Sequence, residues 1–171
     1  MFRETLDEMN AVKLTRKILQ PMSSSEVDQF LTCARVGRVG IALDDGPYIV
    51  PVGYAYEGGE IFFHSCFTGL KMDGMRENPN VCFEVDESTS DASMYKSVIA
   101  RGTVEVIEDR ERMIPYLQRL IDKYRVPVGF DEYMGRSGRY PDKEMSVVRV
   151  CVVRPREMTG QLMVRIDRES I

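Results

Sequence analysis

The sequence predicts a mainly β domain: a small antiparallel barrel with helices packed outside it. Three observations carry this. Runs rich in Val, Ile, Tyr and Phe are separated by tight-turn residues rather than by long helices. The first three of these runs arrive consecutively, as a meander. No regular strand–helix alternation follows, so a doubly wound parallel sheet is disfavoured.

Each element has its own signal. Residues 1–22 are polar with scattered apolar positions and read as an N-terminal arm. Ser23 stands three residues before Glu26, the spacing of a capping box, and Val27, Phe30 and Leu31 follow at helical intervals. Residues 36–43 (VGRVGIAL) read as a strand that ends in the turn Asp44-Asp45-Gly46-Pro47. Residues 48–56 (YIVPVGYAY) form a second strand. Pro51 cannot donate to a ladder, so this strand lies at an edge or is bulged. Glu57-Gly58-Gly59 closes a hairpin onto a third strand, 60–65 (EIFFHS).

Residues 68–77 (TGLKMDGMRE) read as a short helix that Asn78-Pro79 stops. Strand four is 81–85. Residues 86–94 are a polar loop, and 95–107 form a long strand with Gly102 at a bend or bulge. Met113, Tyr116, Leu117, Leu120, Ile121 and Tyr124 recur at threes and fours, which predicts a helix over 110–124. Residues 125–145 are irregular and rich in Gly, Arg and Tyr. Residues 146–153 (SVVRVCVV) are the last strong strand, and a short strand around 162–166 interrupts a polar tail. The arm at 1–22, the barrel domain at 23–154 and the tail at 155–171 make a single-domain chain.

Composition narrows the function classes. The chain has 171 residues, 43% of them hydrophobic and 29% charged, which is ordinary globular usage. No apolar run approaches the length of a membrane-spanning helix, and the first ten residues carry no signal-peptide core, so a cytoplasmic protein without a membrane partner is expected. A net charge of −4 argues against a general nucleic-acid binder. One histidine, His64, cannot make a three-histidine zinc site, and no metal site is expected. The four cysteines are widely spaced and read as small reduced core residues. Walker, dinucleotide-fold and nucleophile-elbow motifs are absent.

The chemistry that can be read locally is anion binding. Ser65 ends a strand, and Thr68, Gly69 and Lys71 begin a helix just beyond it. A helix N-terminus offers free amides, a glycine lets backbone approach an anion, and a lysine supplies charge. A plain strand–helix connection with a solvated lysine is the competing account of the same residues. His64 and Ser65 are neighbours on a strand, so their side chains point to opposite faces.

The ordered runs ARVGRVG, GPYIVPV, FFHS, GLK and NPNVCFEV, followed by Tyr95-Lys96-Ser97-Val98, resemble the FMN-binding split-barrel proteins. Within that superfamily they look most like the nitroimidazole-resistance branch, which is related to pyridoxamine 5'-phosphate oxidase. The resemblance covers about residues 30–110 and, more loosely, the strand at 146–153. It implies a six-stranded antiparallel split barrel that binds FMN. Ser65 and Lys71 would hold the phosphate, with Gly69 at the turn. Val50, Pro51, Val52 and Gly53 would face the flavin ring. Gly53 replaces a polar residue often found in relatives. His64 would lie near the ring and the substrate pocket as the catalytic candidate. Ser97 would reach the flavin held mainly by a second copy, so a homodimer is implied. The implied activity is electron transfer from NAD(P)H to a small aromatic or nitro compound. A flavin-binding protein without turnover is the alternative, and a haem binder with His64 as axial ligand a more distant one. The Arg-rich stretch 125–139 is a lid or anion-binding candidate beside the commoner reading of a solvated loop.

Overall fold

The computed structural model describes residues 16–124, 128–136 and 141–166. Among them are eight strands: β1 (Arg16–Pro21), β2 (Val36–Leu43), β3 (Gly46–Gly53), β4 (Ala55–Glu57), β5 (Glu60–Cys66), β6 (Asn80–Ser88), β7 (Met94–Ile107) and β8 (Val148–Ile166). The helices are α1 (Ser24–Cys33), α2 (Leu70–Glu77), α3 (Arg110–Lys123), α4 (Phe130–Met134) and α5 (Pro141–Val147). The strands make one antiparallel sheet in the order β3-β2-β6-β7-β8-β5-β4, with β1 laid along the far part of β8. The six long strands from β3 to β5 curl into a barrel. Its two ends, β3 and β5, touch without forming a ladder. That seam is the split of the barrel.

Several local expectations hold. The Ser23–Glu26 capping box is formed at α1. Pro51 lies on β3, whose outer side is unpaired, so its missing N–H removes no ladder bond. The register between β7 and β8 slips at Arg101/Gly102, where a side chain on Gly102 would collide with the Arg154 and Pro155 backbone.

Other expectations are corrected. The run 48–56 is not one strand. It breaks at Tyr54, which is fully buried and donates its hydroxyl to the Leu31 carbonyl at 2.8 Å. Anchoring this ring to the end of α1 draws the chain out of the β2 ladder. The hairpin partner of β5 is therefore β4, across Gly58 and Gly59, both at positive φ. Six residues of the presumed arm, 16–21, are strand β1. It is largely exposed at the sheet edge, so it lacks the alternation that would have announced it. β8 runs unbroken through 154, the expected start of the tail. Residues 146 and 147 close α5 rather than open the strand. Parts of the arm, the tail and the 125–139 stretch (1–15, 125–127, 137–140 and 167–171) lie outside the described residues. Only Cys151 of the four cysteines is fully in the core, where burial pushes its thiol up to about 12. Cys82 is half-buried, and Cys33 and Cys66 are exposed. All four are free thiols.

The sheet carries a core on each face. Inside the barrel, Val39, Ile61, Phe63, Phe83 and Val98 pack with α1 and α2 at its mouths. Outside, Phe62, Ile107, Val150 and Val152 pack under α3, α4 and α5. β5 serves both: Ile61 and Phe63 point into the barrel, and Phe62 toward the helices. By the same alternation Ser65 sits on the barrel side and His64 on the helix side.

Candidate functional site

The β5–α2 connection is built around one glycine. Gly69 has φ 110° and ψ 161°, a backbone region essentially restricted to glycine. A Cβ there would meet nothing within 4 Å, so the residue is needed for its conformation rather than for space. The Gly69 carbonyl accepts from the amides of Met72 (2.8 Å) and Asp73 (3.0 Å) and starts α2. Among the described residues, the amides of Gly69, Leu70 and Lys71 find no acceptor. They are the free donors of a helix N-terminus.

Two side chains complete this end of the strand. Ser65 is only 8% exposed, and its hydroxyl has no hydrogen-bond partner among the described residues. Lys71 is half-buried, with its ammonium 5.7 Å from the Phe63 ring centroid. No carboxylate among the described residues pairs with it. Two arginines brace the same loop. Arg76 donates to the Phe67 carbonyl and pairs with Glu108, both at 2.9 Å. Arg149 donates through Nη1 to the Ser146 and Val148 carbonyls, and its guanidinium lies over the Phe67 ring. Its Nε is buried without a hydrogen-bond partner among the described residues, 3.7 Å from the Glu108 carboxylate. Lys71 and this Nε are the uncommitted cationic donors of the junction. Cys66 is exposed on this loop, and the Thr68 amide and hydroxyl lower its pKa.

His64 looks the other way. It forms part of the floor of a cavity of about 510 Å³, which lies over the open seam beneath α3, α4 and α5. Gly53 and Val36 form the wall toward β3 and β2. Part of the His64 ring faces this opening, yet the surrounding protein still desolvates it. Burial first, and the Lys71 charge second, hold its pKa below the ordinary 6.5. The imidazole is therefore neutral near pH 7.

The stretch expected to face a ring divides by alternation. Val50 is half-buried against the barrel core and Val52 is buried in it, while Pro51 and Gly53 face outward. From this stretch only the backbone, Pro51 and the bare Gly53 are open to a ligand. A side chain on Gly53 would press on the Tyr124 hydroxyl at 2.5 Å. The structure thus brings Gly53 and His64 together at the cavity, with Pro51 two residues along the same strand edge, and keeps Ser65, Gly69 and Lys71 at the β5–α2 junction on the other face of β5. It does not bring Ser97 there. His64 stands opposite Val150, which stands opposite Ile107 on β7. Ser97 is ten positions earlier on that strand, roughly 33 Å away at strand rise.

Sequence reasoning missed the bracing by Arg76 and Arg149 and the helical roof of the cavity. Arg149 had a visible signal: it is the single charge in the apolar run VVRVCVV. The roof had none, because α4 and α5 are too short to show a period.

Comparison with known proteins decides the lineage. The family model described as pyridoxamine 5'-phosphate oxidase matches residues 23–162, most of the chain. The chain belongs to the pyridoxamine 5'-phosphate oxidase family. Among solved members of this fold, a candidate 5-nitroimidazole antibiotic resistance protein of Bacteroides thetaiotaomicron is 26% identical. It has a TM-score of 0.70, over 90% of this chain and 92% of that one. An FAD-binding protein of Mesorhizobium loti is 25% identical, with a TM-score of 0.62 over 87% and 98%. An uncharacterized protein of Rhizobium meliloti is 36% identical over 83 residues, 47% of this chain. The match spans about half the length of that curated relative. The split-barrel expectation and the family resemblance are both met. Among the described residues, no cluster of side chains could hold a metal ion, and no helix is long and apolar enough to cross a membrane.

Proposed function

We propose that this chain is an FMN-binding oxidoreductase that takes electrons from NAD(P)H and passes them to a small aromatic or nitro compound. The observation that carries the flavin reading is the Gly69 turn: three free amides, the uncommitted Lys71 and the unpartnered Ser65 hydroxyl around one strand–helix junction. These donors fit a phosphate monoester, which needs several hydrogen bonds and a cation. The similarity to the FAD-binding protein of Mesorhizobium loti and to the candidate 5-nitroimidazole resistance protein of Bacteroides thetaiotaomicron supports a flavin and a nitroimidazole-type acceptor.

In this reading Ser65, Lys71 and the α2 amides hold the phosphate. Pro51 and Gly53, on the unpaired edge of β3, offer backbone groups to the ring, and Gly53 leaves room there for the Tyr124 hydroxyl. His64 sits between the ring's place and the cavity, where its neutral imidazole donates or accepts a hydrogen bond to the acceptor molecule. Bound flavin supplies the electron transfer itself. The protein binds, orients and keeps water from the reacting face. Ser97 is too far along β7 to serve the same site, so it contributes from a second copy in a homodimer.

The test is direct. The visible spectrum of purified protein, and chromatography of what denaturation releases, identify FMN, FAD or haem. Anaerobic mixing with NADH or NADPH, then with a nitroaromatic acceptor, reads turnover. Protein that neither carries nor takes up flavin refutes the reading. Tight flavin binding without reoxidation by any acceptor leaves a non-catalytic flavin binder.

A further inference from the structure

The cavity over the split has a chemistry of its own. It encloses about 510 Å³, within the range of pockets for drug-sized ligands. Leu117, Leu120 and Ile121 of α3 line it, with Phe130, Met134 and Met145 from the two short helices. Among the described lining residues there is no lysine or arginine. Arg35 and Arg136 lie over the Tyr124 and Tyr133 rings and Arg149 over Phe67, and none of the three is among the lining residues. The polar groups at the cavity surface are His64, Glu144 and two tyrosine hydroxyls, and the Tyr124 hydroxyl already donates to the Arg35 carbonyl at 2.6 Å. A phosphate ester placed here would lose its water against a mostly apolar wall and find no lysine or arginine among the described lining residues. An uncharged ring system would lose nothing and bury apolar surface against thioethers and aromatic edges.

We propose that this chamber takes an uncharged, largely apolar aromatic or quinone-type molecule of up to two fused rings, with His64 as its polar anchor, and rejects phosphorylated substrates. The inference deepens the proposed function and rests on it, since the occupant is the second reactant of that site. It separates this chain from the chemistry of its family's name. A pyridoxamine phosphate must satisfy a phosphate in the substrate pocket, and here the described phosphate donors sit at the Gly69 turn, on the other face of β5. The largely apolar wall is also wider than a single five-membered ring requires, which favours two-ring compounds over the smallest acceptors.

The experiment uses the full chain and reads binding rather than turnover. N-phenyl-1-naphthylamine, a neutral probe that brightens in apolar pockets, is titrated into the protein. 1-Naphthol, 2-methyl-1,4-naphthoquinone and 1-naphthyl phosphate are then added as competitors. The expected result is saturable probe binding, displaced by the two neutral compounds at concentrations at least tenfold below 1-naphthyl phosphate. Ile121 is half-buried on the helix α3 wall, so Ile121→Lys puts a cation into the chamber without emptying the core. It should weaken the neutral probe at least tenfold and narrow the gap to the phosphate. Ile121→Met, the neutral control, should leave both unchanged. Equal competition by 1-naphthyl phosphate, or a probe signal indifferent to Ile121→Lys in a variant whose circular dichroism is native, overturns the proposal. FMN affinity is measured in parallel on the same proteins. Loss of flavin binding with an intact probe site refutes the function and leaves the chamber's selectivity standing. The reverse result refutes the chamber alone.

Discussion

Lys71→Met tests the phosphate site most cleanly. Methionine keeps an apolar stem of similar length over Phe63, so the packing at the barrel mouth survives and only the charge is removed. Lys71 makes no ion pair among the described residues, so its loss breaks no bridge in the folded state. A hydrogen bond to a charged group contributes about 1.5–3 kcal/mol, which converts to a roughly 10- to 150-fold rise in the FMN dissociation constant. The assay is quenching of FMN fluorescence on titration with protein at fixed moderate salt. Riboflavin, which has the ring without the phosphate, serves as the internal control. Its affinity should be the same for both proteins, while FMN loses its advantage over riboflavin in the variant. An FMN constant within twofold of the parent, or an equal loss for FMN and riboflavin, would falsify the assignment of Lys71 to the phosphate.

Other perturbations address the turn, the histidine, the bulge and the surface around the site. Gly69→Ala should lower unfolding stability by about 1–3 kcal/mol through backbone strain alone, since the new methyl meets no atom, and FMN affinity should fall with it. Urea midpoints read the first effect and fluorescence titration the second. His64 has a folded pKa below its unfolded value, so the unfolded chain binds the extra proton as pH drops through about 6.5 and stability falls. His64→Gln should lose less stability than the parent between pH 7 and 5, and parallel acid slopes would contradict the desolvated imidazole. Gly102→Ala places its Cβ 2.7 Å from the Arg154 carbonyl carbon and 2.8 Å from the Pro155 Cα. Backbone cannot yield like a side-chain tip, so at least about 1–3 kcal/mol of destabilisation is expected in chemical denaturation. Phe67 and Leu70 are 38% and 55% exposed beside the Gly69 turn. If a second copy covers them, Leu70→Asp should shift sedimentation toward the monomer and weaken FMN as dimer is lost. Unchanged sedimentation would place any interface elsewhere.

The legible parts of this fold were those fixed by short-range chemistry. The Ser23–Glu26 box, the edge position of Pro51 and the bulge at Gly102 each follow from what one residue type can or cannot do with its backbone. The break at Tyr54 was not legible. YIVPVGYAY alternates well enough for one strand, and what divides it is a hydroxyl bond to Leu31, 23 residues earlier in the chain. Strand β1 was hidden for a different reason: its partner is the far end of β8, so its pairing depends on a contact that local pattern does not encode. The site shows the same division. Ser65, Gly69 and Lys71 lie within seven residues, and their junction could be read as an anion cradle. The wall facing Gly53 could not, because alternation turns Val50 and Val52 inward and leaves the cavity to be roofed by helices from the other end of the chain.

The split itself ties these pieces together. A closed barrel would pair β3 with β5 and leave neither edge backbone nor an opening beside His64. Tyr54 prevents closure by carrying the chain from β3 across to β4, where it can pair with β5 from the outer side. The seam then exposes the backbone of Pro51 and Gly53 on one lip and the row from His64 to Lys71 on the other. Alternation on β5 assigns the two lips different work: Ser65 faces the charged turn of α2, and His64 faces the apolar chamber under α3. The two faces therefore suit two different ligands: a phosphate-bearing one at the turn and an uncharged ring compound in the chamber. One consequence is that the two sets of contacts are separable. Changes at Gly69 or Lys71 should act on phosphate-bearing ligands, and changes at Ile121 on neutral ring compounds, with little crossover between them.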